Sequence, residues 1–218
     1  LDLWAIVPEL ILAGLALLLV PVACLARGRG RQVPTVVAAL GLVAALGFTA
    51  RMLLWPEQAV FCGTYAVDGF GTVFKLLIEL GALISLMAIA AHFRGTVQAA
   101  HAPVALLFST VGGVLLVSSL DLGLIVLFLQ MLSMGSYILV SLVRRDRRAN
   151  EATLKFFIYA AVALAVMAYG LSFLFGLTGS LELRAIGQAL TGADPVWVAV
   201  AFGLVVIGYA FEVTVVPF

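Results

Sequence analysis

The sequence predicts an all-α fold, a polytopic bundle of about seven transmembrane helices. Of its 218 residues, 64% are hydrophobic and 11% are charged, whereas soluble domains are about half apolar and about a quarter charged. The apolar residues form seven segments of about 20 residues, the length that the hydrocarbon core of a bilayer requires. The segments lack strand-like alternation, and helices satisfy their own backbone hydrogen bonds in lipid. We therefore expect a lipid bilayer to surround this chain.

The seven segments follow one another with short connections. Only Leu120 and Asp121 separate the fourth from the fifth, which predicts a tight turn. Asp68 directly precedes the third segment, where its carboxylate can accept hydrogen bonds from the free N–H groups of the first turn. The first segment lacks the leading positive charge of a secretion signal and is typical of a retained transmembrane helix. The predicted spans are residues 4–26, 33–54, 69–91, 102–119, 122–143, 153–177 and 195–217.

Basic residues are concentrated in alternate loops. The loops after the second, fourth and sixth segments contain only Arg184, and Arg51 closes the second segment. Because basic loops stay in the cytoplasm, this bias predicts an N-terminus outside and a chain end at Phe218 inside. The short loops form no broad basic surface, which argues against nucleic acid as a partner. The loops after the first, third and fifth segments carry Arg27, Arg29, Arg31, Arg94, Arg144, Arg145, Arg147 and Arg148.

Three charged residues fall in the first and third segments. Glu9 lies about one turn into the first segment, where a carboxylate that reaches the headgroup water is the simpler interpretation. Lys75 and Glu79 are four residues apart, so they share one face of the third helix and can form an intramembrane pair. Pairing lowers the cost of a charge in lipid. A packing pair and a functional pair are both compatible with this spacing.

A polar stripe runs along the fifth segment. Gln130, Ser133 and Tyr137 are spaced by three and four residues and therefore lie on one helix face. Such a stripe can form hydrogen bonds between helices, each contributing about 1 kcal/mol. It can also line a wetted interior face that conducts protons. The sequence leaves both interpretations open.

The sixth and seventh segments carry further candidates for proton transfer. Glu151, Lys155 and Tyr159 are spaced by four residues at the start of the sixth segment. Lys155 can either pair with Glu151 and extend toward water, or point inward as a proton carrier. Glu212 follows Tyr209 near the end of the last segment, in an otherwise apolar helix. It is either a carboxylate near the headgroups or a buried proton-binding group.

No catalytic, metal or cofactor site is predicted. Cys24 and Cys62 are too few and too separate for a disulfide framework or a metal cluster. His92 and His101 flank one loop, where solvated histidines are more common than haem ligands. The sequence also lacks a phosphate-binding glycine loop and a nucleophile–base arrangement. Any redox chemistry associated with this chain is therefore expected to reside elsewhere.

Several stretches of the sequence resemble a known family. They are "VPELILAGLALLL", "YAVDGFGTVFKLL", "LGLIVLFLQMLSMGSYILVSLVRRDRRANEATLKFF", "YGLSFLFGLTGSLELRAI" and "FEVTVVPF". Together they resemble the antiporter-like membrane subunits of respiratory complex I, and subunit N (ND2-type) most closely. The resemblance implies about fourteen helices with two inverted five-helix repeats. Residues 1–101 would then be three leading helices, and residues 102–218 the first part of the first repeat in a longer protein.

The resemblance also implies a function and its residues. Such subunits help to couple quinone reduction to proton translocation, bind no redox cofactor and contact other membrane-arm subunits. The family places a glutamate on the fifth helix and a lysine on the seventh, and these positions are Gln130 and Glu212 here. A further family lysine opens an "ALKYF"-like motif, which is "TLKFF" with Lys155. Tyr137 and Tyr159 lie one or two turns from these residues and complete the predicted proton relay.

The exchange of an acid–base pair for an amide and an acid leaves three functions open. The leading expectation is a bacterial plasma-membrane subunit of a complex I-like NADH:quinone oxidoreductase with altered key charges. The first alternative is a subunit of a related Mrp-type cation/proton antiporter. The second is a structural paralogue that holds the membrane arm together without pumping.

Overall fold

The prediction of seven spanning helices is confirmed by the computed structural model, which describes residues 2–26, 28–142 and 147–212. Within these residues seven helices are long and apolar enough to cross a membrane. The α-helices are α1 Val7–Leu25, α2 Val33–Met52, α3 Gly69–His92, α4 Gln98–Ser118, α5 Leu122–Ser141, α6 Arg147–Thr178, α7 Leu183–Ala189 and α8 Pro195–Glu212, and the strands are β1 Gln58–Val60 and β2 Tyr65–Val67.

Three local features differ from the sequence prediction. Helix α6 begins at Arg147, six residues before the predicted start at 153, so its first turns precede the apolar run. The loop before α8 contains the short helix α7, and the loop before α3 contains the two strands. The predicted ends of the fifth and seventh segments, at 143 and 217, lie outside the described residues, as do Arg27, Arg144 and Arg145.

The chain forms two compact units. Residues 1–119 and 125–144 form the first unit, and residues 120–124 and 145–218 form the second. This division differs from the predicted boundary at residue 101, which concerns a structural repeat and stays a prediction. Asp121 begins α5 by accepting hydrogen bonds from the Gly123 and Leu124 N–H groups, at 2.8 and 3.1 Å.

Helix α4 occupies the centre of the first unit. It packs against α1, α2 and α3, and 67% of its span is buried, against at most 33% for any other spanning helix. Small residues and medium-sized aliphatic side chains allow this packing. The core contains Leu12, Ala16, Leu19, Ala38, Leu42, Ala45, Ala82, Leu86, Leu106, Leu107 and Val111.

Helices α4 and α5 approach closely at small residues. A Cβ atom on Gly135 would lie 2.5 Å from the Ser109 Cβ atom and 2.7 Å from the Ala105 carbonyl oxygen. The Ser109 hydroxyl donates a 2.8 Å hydrogen bond to the Leu132 carbonyl. Backbones in contact are typical of helix pairs in membranes, where van der Waals packing drives association.

A short antiparallel hairpin closes the end of the first unit at which α2 ends and α3 begins. Its strands pair Gln58 with Val67 and Val60 with Tyr65. In the turn, Cys62 has a positive φ of 58°. The side chains of Val60, Tyr65 and Val67 pack with those of Ala5 and Met52 in a second apolar cluster. The hairpin therefore carries the Tyr65 ring into the interior of the unit.

The second unit is built on the antiparallel pair α6 and α8. Phe156 near the start of α6 contacts Phe211 near the end of α8, and Phe173 stacks on Trp197 at the opposite ends. Gly208 lets the backbones approach, because a Cβ atom there would lie 2.5 Å from the neighbouring Met167 Cβ atom. Residues 120–124 join this unit through hydrogen bonds from the Leu122 N–H to the Leu181 carbonyl and from the Leu183 N–H to the Leu120 carbonyl, at 2.9 and 3.0 Å.

Candidate functional site

A cluster of charged and polar side chains is buried in the first unit. We define the buried charge cluster as Glu9 of α1, Thr49 of α2, Tyr65 of β2, and Lys75 and Glu79 of α3. Lys75 is 1% exposed, Glu9 3% and Glu79 0%. Charged side chains are almost never buried to this extent unless they are paired. The geometry of the cluster therefore determines how its charges are compensated.

Glu9 is the centre of the hydrogen bonds in this cluster. The Lys75 ammonium lies 2.8 Å from Glu9 Oε1 and forms an ion pair with it. The Tyr65 hydroxyl donates a 2.5 Å hydrogen bond to the same oxygen and accepts one of 2.6 Å from Lys75 Nζ. Lys75 Nζ also lies 4.7 Å from the centre of the Tyr65 ring. Two donors thus converge on one carboxylate oxygen.

Glu79 forms its hydrogen bond apart from Glu9, Tyr65 and Lys75. The Thr49 hydroxyl donates a 2.9 Å hydrogen bond to Glu79 Oε1. Within the described residues the second oxygens of Glu79 and Glu9 accept no hydrogen bond, although both are buried. The cluster therefore places two carboxyl groups and one ammonium in the apolar interior.

The structure corrects two sequence predictions here. Lys75 does not pair with Glu79 but with Glu9, which lies 66 residues earlier in the chain. Glu9 is buried and does not extend to headgroup water as expected. Helical spacing reports only neighbours within one helix, so it cannot reveal a partner on another. Sequence reasoning did not single out Thr49 or Tyr65, which carry no local signal of this kind.

Tyr65 lies in the hairpin, outside the spanning segments. Burial raises the pKa of its phenol, and the Glu9 carboxylate raises it further. The hydroxyl group therefore stays protonated and can donate to Glu9 while it accepts from Lys75. Asp68 confirms its predicted N-cap role, since its Oδ1 accepts a 2.7 Å hydrogen bond from the Gly71 N–H.

The predicted stripe on α5 lies in the first unit. Ser133 and Tyr137 are buried, and Gln130 is half-buried. All three lie on the helix face predicted from their spacing, and Ser133 and Tyr137 have interaction partners. A role of Gln130 or Tyr137 in proton transfer stays a prediction.

The side chains of Glu151, Lys155 and Tyr159 lie on the exposed face of α6. Lys155 and Glu151 form a 2.6 Å ion pair in which both side chains are 63% exposed, and Tyr159 is 62% exposed. The buried residues of α6 form a stripe that includes Ala160 and Met167, and Met167 packs against Gly208 of α8. Given 3.6 residues per turn, Lys155 projects away from that buried stripe. Its pairing with Glu151 is one of the two predicted arrangements, and its role as a relay stays a prediction.

Glu212 is half-buried at the end of α8. The contact between Phe156 and Phe211 shows that Glu212 lies at the same end of the α6–α8 pair as Lys155. Gln130 belongs to the first unit, and the predicted pairing of Gln130 with Glu212 stays a prediction. Among the described residues, no three His, Cys, Asp or Glu side chains are grouped closely enough to hold a metal ion.

Comparison with known proteins identifies the type of fold. Residues 119–218 match the family described as NADH:quinone oxidoreductase/Mrp antiporter, transmembrane. This part of the chain is therefore similar to that family. Its predicted resemblance to the antiporter-like membrane subunits of complex I is thereby confirmed.

Relatives extend this similarity over nearly the whole chain. NADH-quinone oxidoreductase subunit N of Beijerinckia indica is 33% identical over 214 residues, which are 97% of this chain and 44% of the relative. Subunit 2 of the NAD(P)H-quinone oxidoreductase of a Synechococcus strain is 38% identical over 218 residues, with 98% and 41% covered. The chain spans less than half the length of these relatives.

Solved structures show the same fold. A chain of respiratory complex I from Thermus thermophilus aligns with a TM-score of 0.78 at 32% identity, over 97% of this chain and 45% of that one. A chain of the archaeal membrane-bound sulfane sulfur reductase aligns with a TM-score of 0.81 at 14% identity, over 96% and 44%. The second match supports the fold alone, because the identity is low.

Proposed function

We propose that this chain is part of a membrane-arm subunit of a complex I-like NADH:quinone oxidoreductase and contributes to proton translocation. The observation that carries the proposal is the similarity to quinone oxidoreductase subunits over nearly the whole chain, at 33% and 38% identity. Other membrane-arm subunits are its expected partners. The electron carriers of the complex would be held by other subunits, since proton transfer needs only titratable side chains and water.

The proposed relay comprises Gln130, Tyr137, Lys155, Tyr159 and Glu212. Lys155 would exchange protons at the start of α6, where it forms a 2.6 Å ion pair with Glu151. Gln130 cannot bind or release a proton, so the acidic step would fall to Glu212. This chain has Gln130 and Glu212 where the family has a glutamate and a lysine. The charge that moves in this half of the subunit would therefore have the opposite sign.

The proposal includes an orientation in the membrane. The arginines of alternate loops favour an N-terminus outside and the start of α6 on the cytoplasmic side. The corresponding location is the bacterial plasma membrane. Lys155 would then exchange protons with the cytoplasm, and the buried charge cluster would lie toward the outer side.

The proposal is tested by NADH-driven proton pumping in inverted membrane vesicles that carry the full-length subunit. We expect the Gln130→Glu/Glu212→Lys variant to translocate more protons per electron than the wild type. Gln188→Glu, in the exposed short helix α7, is the matched control for an added carboxylate and should pump like the wild type. Equal ratios in all three proteins would show that the altered charges do not limit pumping.

The family description also covers Mrp antiporters, which supports cation/proton exchange as a second candidate function. An antiporter would dissipate an imposed pH gradient upon addition of sodium or potassium, without NADH. A complex I-like subunit would co-purify with an NADH-oxidising iron–sulfur assembly and would require NADH. A complex that oxidises NADH with unchanged proton stoichiometry after loss of Lys155 would instead favour a structural paralogue.

A further inference from the structure

The buried charge cluster of the leading helices contains an unbalanced charge. Glu9 and Glu79 would contribute two negative charges when ionised, and Lys75 contributes one positive charge. All three side chains are at most 3% exposed. An isolated ionised carboxylate in such surroundings is costly, and proton uptake is the usual way to remove that charge.

The hydrogen bonds indicate which carboxyl group takes up the proton. Glu9 Oε1 receives hydrogen bonds from Lys75 Nζ at 2.8 Å and from the Tyr65 hydroxyl at 2.5 Å. Charge-assisted bonds of this kind stabilise the ionised form. Glu79 Oε1 accepts a 2.9 Å hydrogen bond from the neutral Thr49 hydroxyl. Its buried Oε2 accepts no hydrogen bond within the described residues.

Among the described residues, the elements packed against α3 bring no further buried basic side chain to Glu79. Helices α2 and α4 and strand β2 pack against α3. Arg51 of α2 is exposed, and α4 contains no Asp, Glu, Lys or Arg. His92 and His101 lie at the opposite ends of α3 and α4 from the cluster. Glu9 and Lys75 are therefore the charged groups, and Thr49 the hydrogen-bond donor, that act on the charge state of Glu79.

We propose that the buried charge cluster is a proton-binding site, in which Glu79 takes up and releases one proton beside the Glu9–Lys75 ion pair. Uptake forms one O–H bond on Glu79 Oε2 with a proton from bulk water, and release reverses it without electron transfer. The site lies in the three leading helices and their hairpin and shares no residue with the proposed relay.

The test is infrared difference spectroscopy of the full-length protein in lipid, between acidic and alkaline buffers. We expect a C=O band of a protonated carboxyl group that Glu79→Gln removes and Glu79→Asp shifts. Glu57→Gln, which changes an exposed carboxylate just before β1, should leave the band intact. A wild type without the band, or a band that survives Glu79→Gln, would overturn the proposal.

A second variant tests the charge balance without altering Glu79. In Glu9→Gln the cluster has one potential carboxylate and one ammonium, so Glu79 should ionise beside Lys75. We expect the band to disappear in the same buffers, and an unchanged band would contradict the proposal. The measurement requires no turnover, so it remains decisive even if the proposed role in proton translocation fails.

Discussion

Substitution of Lys75 by Met tests whether the buried ion pair stabilises the first unit. Methionine is similar in length and apolar, so the change removes the charge and two hydrogen bonds but little volume. At the observed 2.8 Å, the attraction of two unit charges is about 6 kcal/mol at an effective dielectric constant of about 20. Desolvation offsets part of this energy, and removal of one buried partner typically costs about 3–5 kcal/mol. We expect a loss of that size for Lys75→Met.

A double-mutant cycle separates the ion pair from packing. The double variant Glu9→Gln/Lys75→Met removes both charges of the pair, whereas Lys75→Met leaves the Glu9 carboxylate without its partner. The double variant should therefore be more stable than Lys75→Met alone. We expect a coupling energy of about 2–3 kcal/mol between the two positions. The assay is denaturant unfolding of the full-length protein in mixed micelles, followed by tryptophan fluorescence and circular dichroism.

Lys155→Met is the matched control for this experiment. The Lys155–Glu151 pair has a similar distance, 2.6 Å, but both side chains are 63% exposed. Water screens such pairs, and they contribute about 0–1 kcal/mol. If Lys75→Met were no more destabilising than Lys155→Met, or if the two substitutions at Glu9 and Lys75 were simply additive, the reasoning from burial would be wrong.

Three further predictions concern orientation, packing and pH. A membrane-impermeant maleimide should label exposed Cys62 in intact cells, Cys62→Ser should abolish the label, and Cys24 within α1 should react only after detergent is added. Gly208→Leu should destabilise α6–α8 packing by about 1–3 kcal/mol, whereas Gly203→Leu, whose added Cβ has no atom within 4 Å, should not. Burial raises the pKa of Tyr65. The contribution of Tyr65 to the free energy of unfolding should therefore be fully present below about pH 10, the pKa of the unfolded phenol, and should fall as pH rises further. In Tyr65→Phe, the free energy of unfolding measured as a function of pH should not show this alkaline decline.

Hydropathy and loop charge predicted the seven helices, because bilayer thickness constrains their length. Asp68 was predictable as an N-cap and the Leu120–Asp121 connection as a tight turn, since both depend on adjacent residues. The short strands Gln58–Val60 and Tyr65–Val67 were missed because three residues are too few for a periodic pattern. Their stability depends on packing against Ala5 and Met52, which no local pattern reports.

The two lysine–glutamate spacings of this chain show why the site itself was only partly predictable. Glu151 and Lys155 are four residues apart on α6 and form an ion pair, one of the two predicted arrangements, in which both side chains are exposed. Lys75 and Glu79 have the same separation, but Glu9 and Tyr65 reach Lys75 from two other elements and together provide a carboxylate and a hydroxyl. Glu79 is then left to the Thr49 hydroxyl. Spacing within a helix therefore predicts an ion pair only where other elements provide no stronger partner. Removal of the Glu9 carboxylate should allow Lys75 to pair with Glu79.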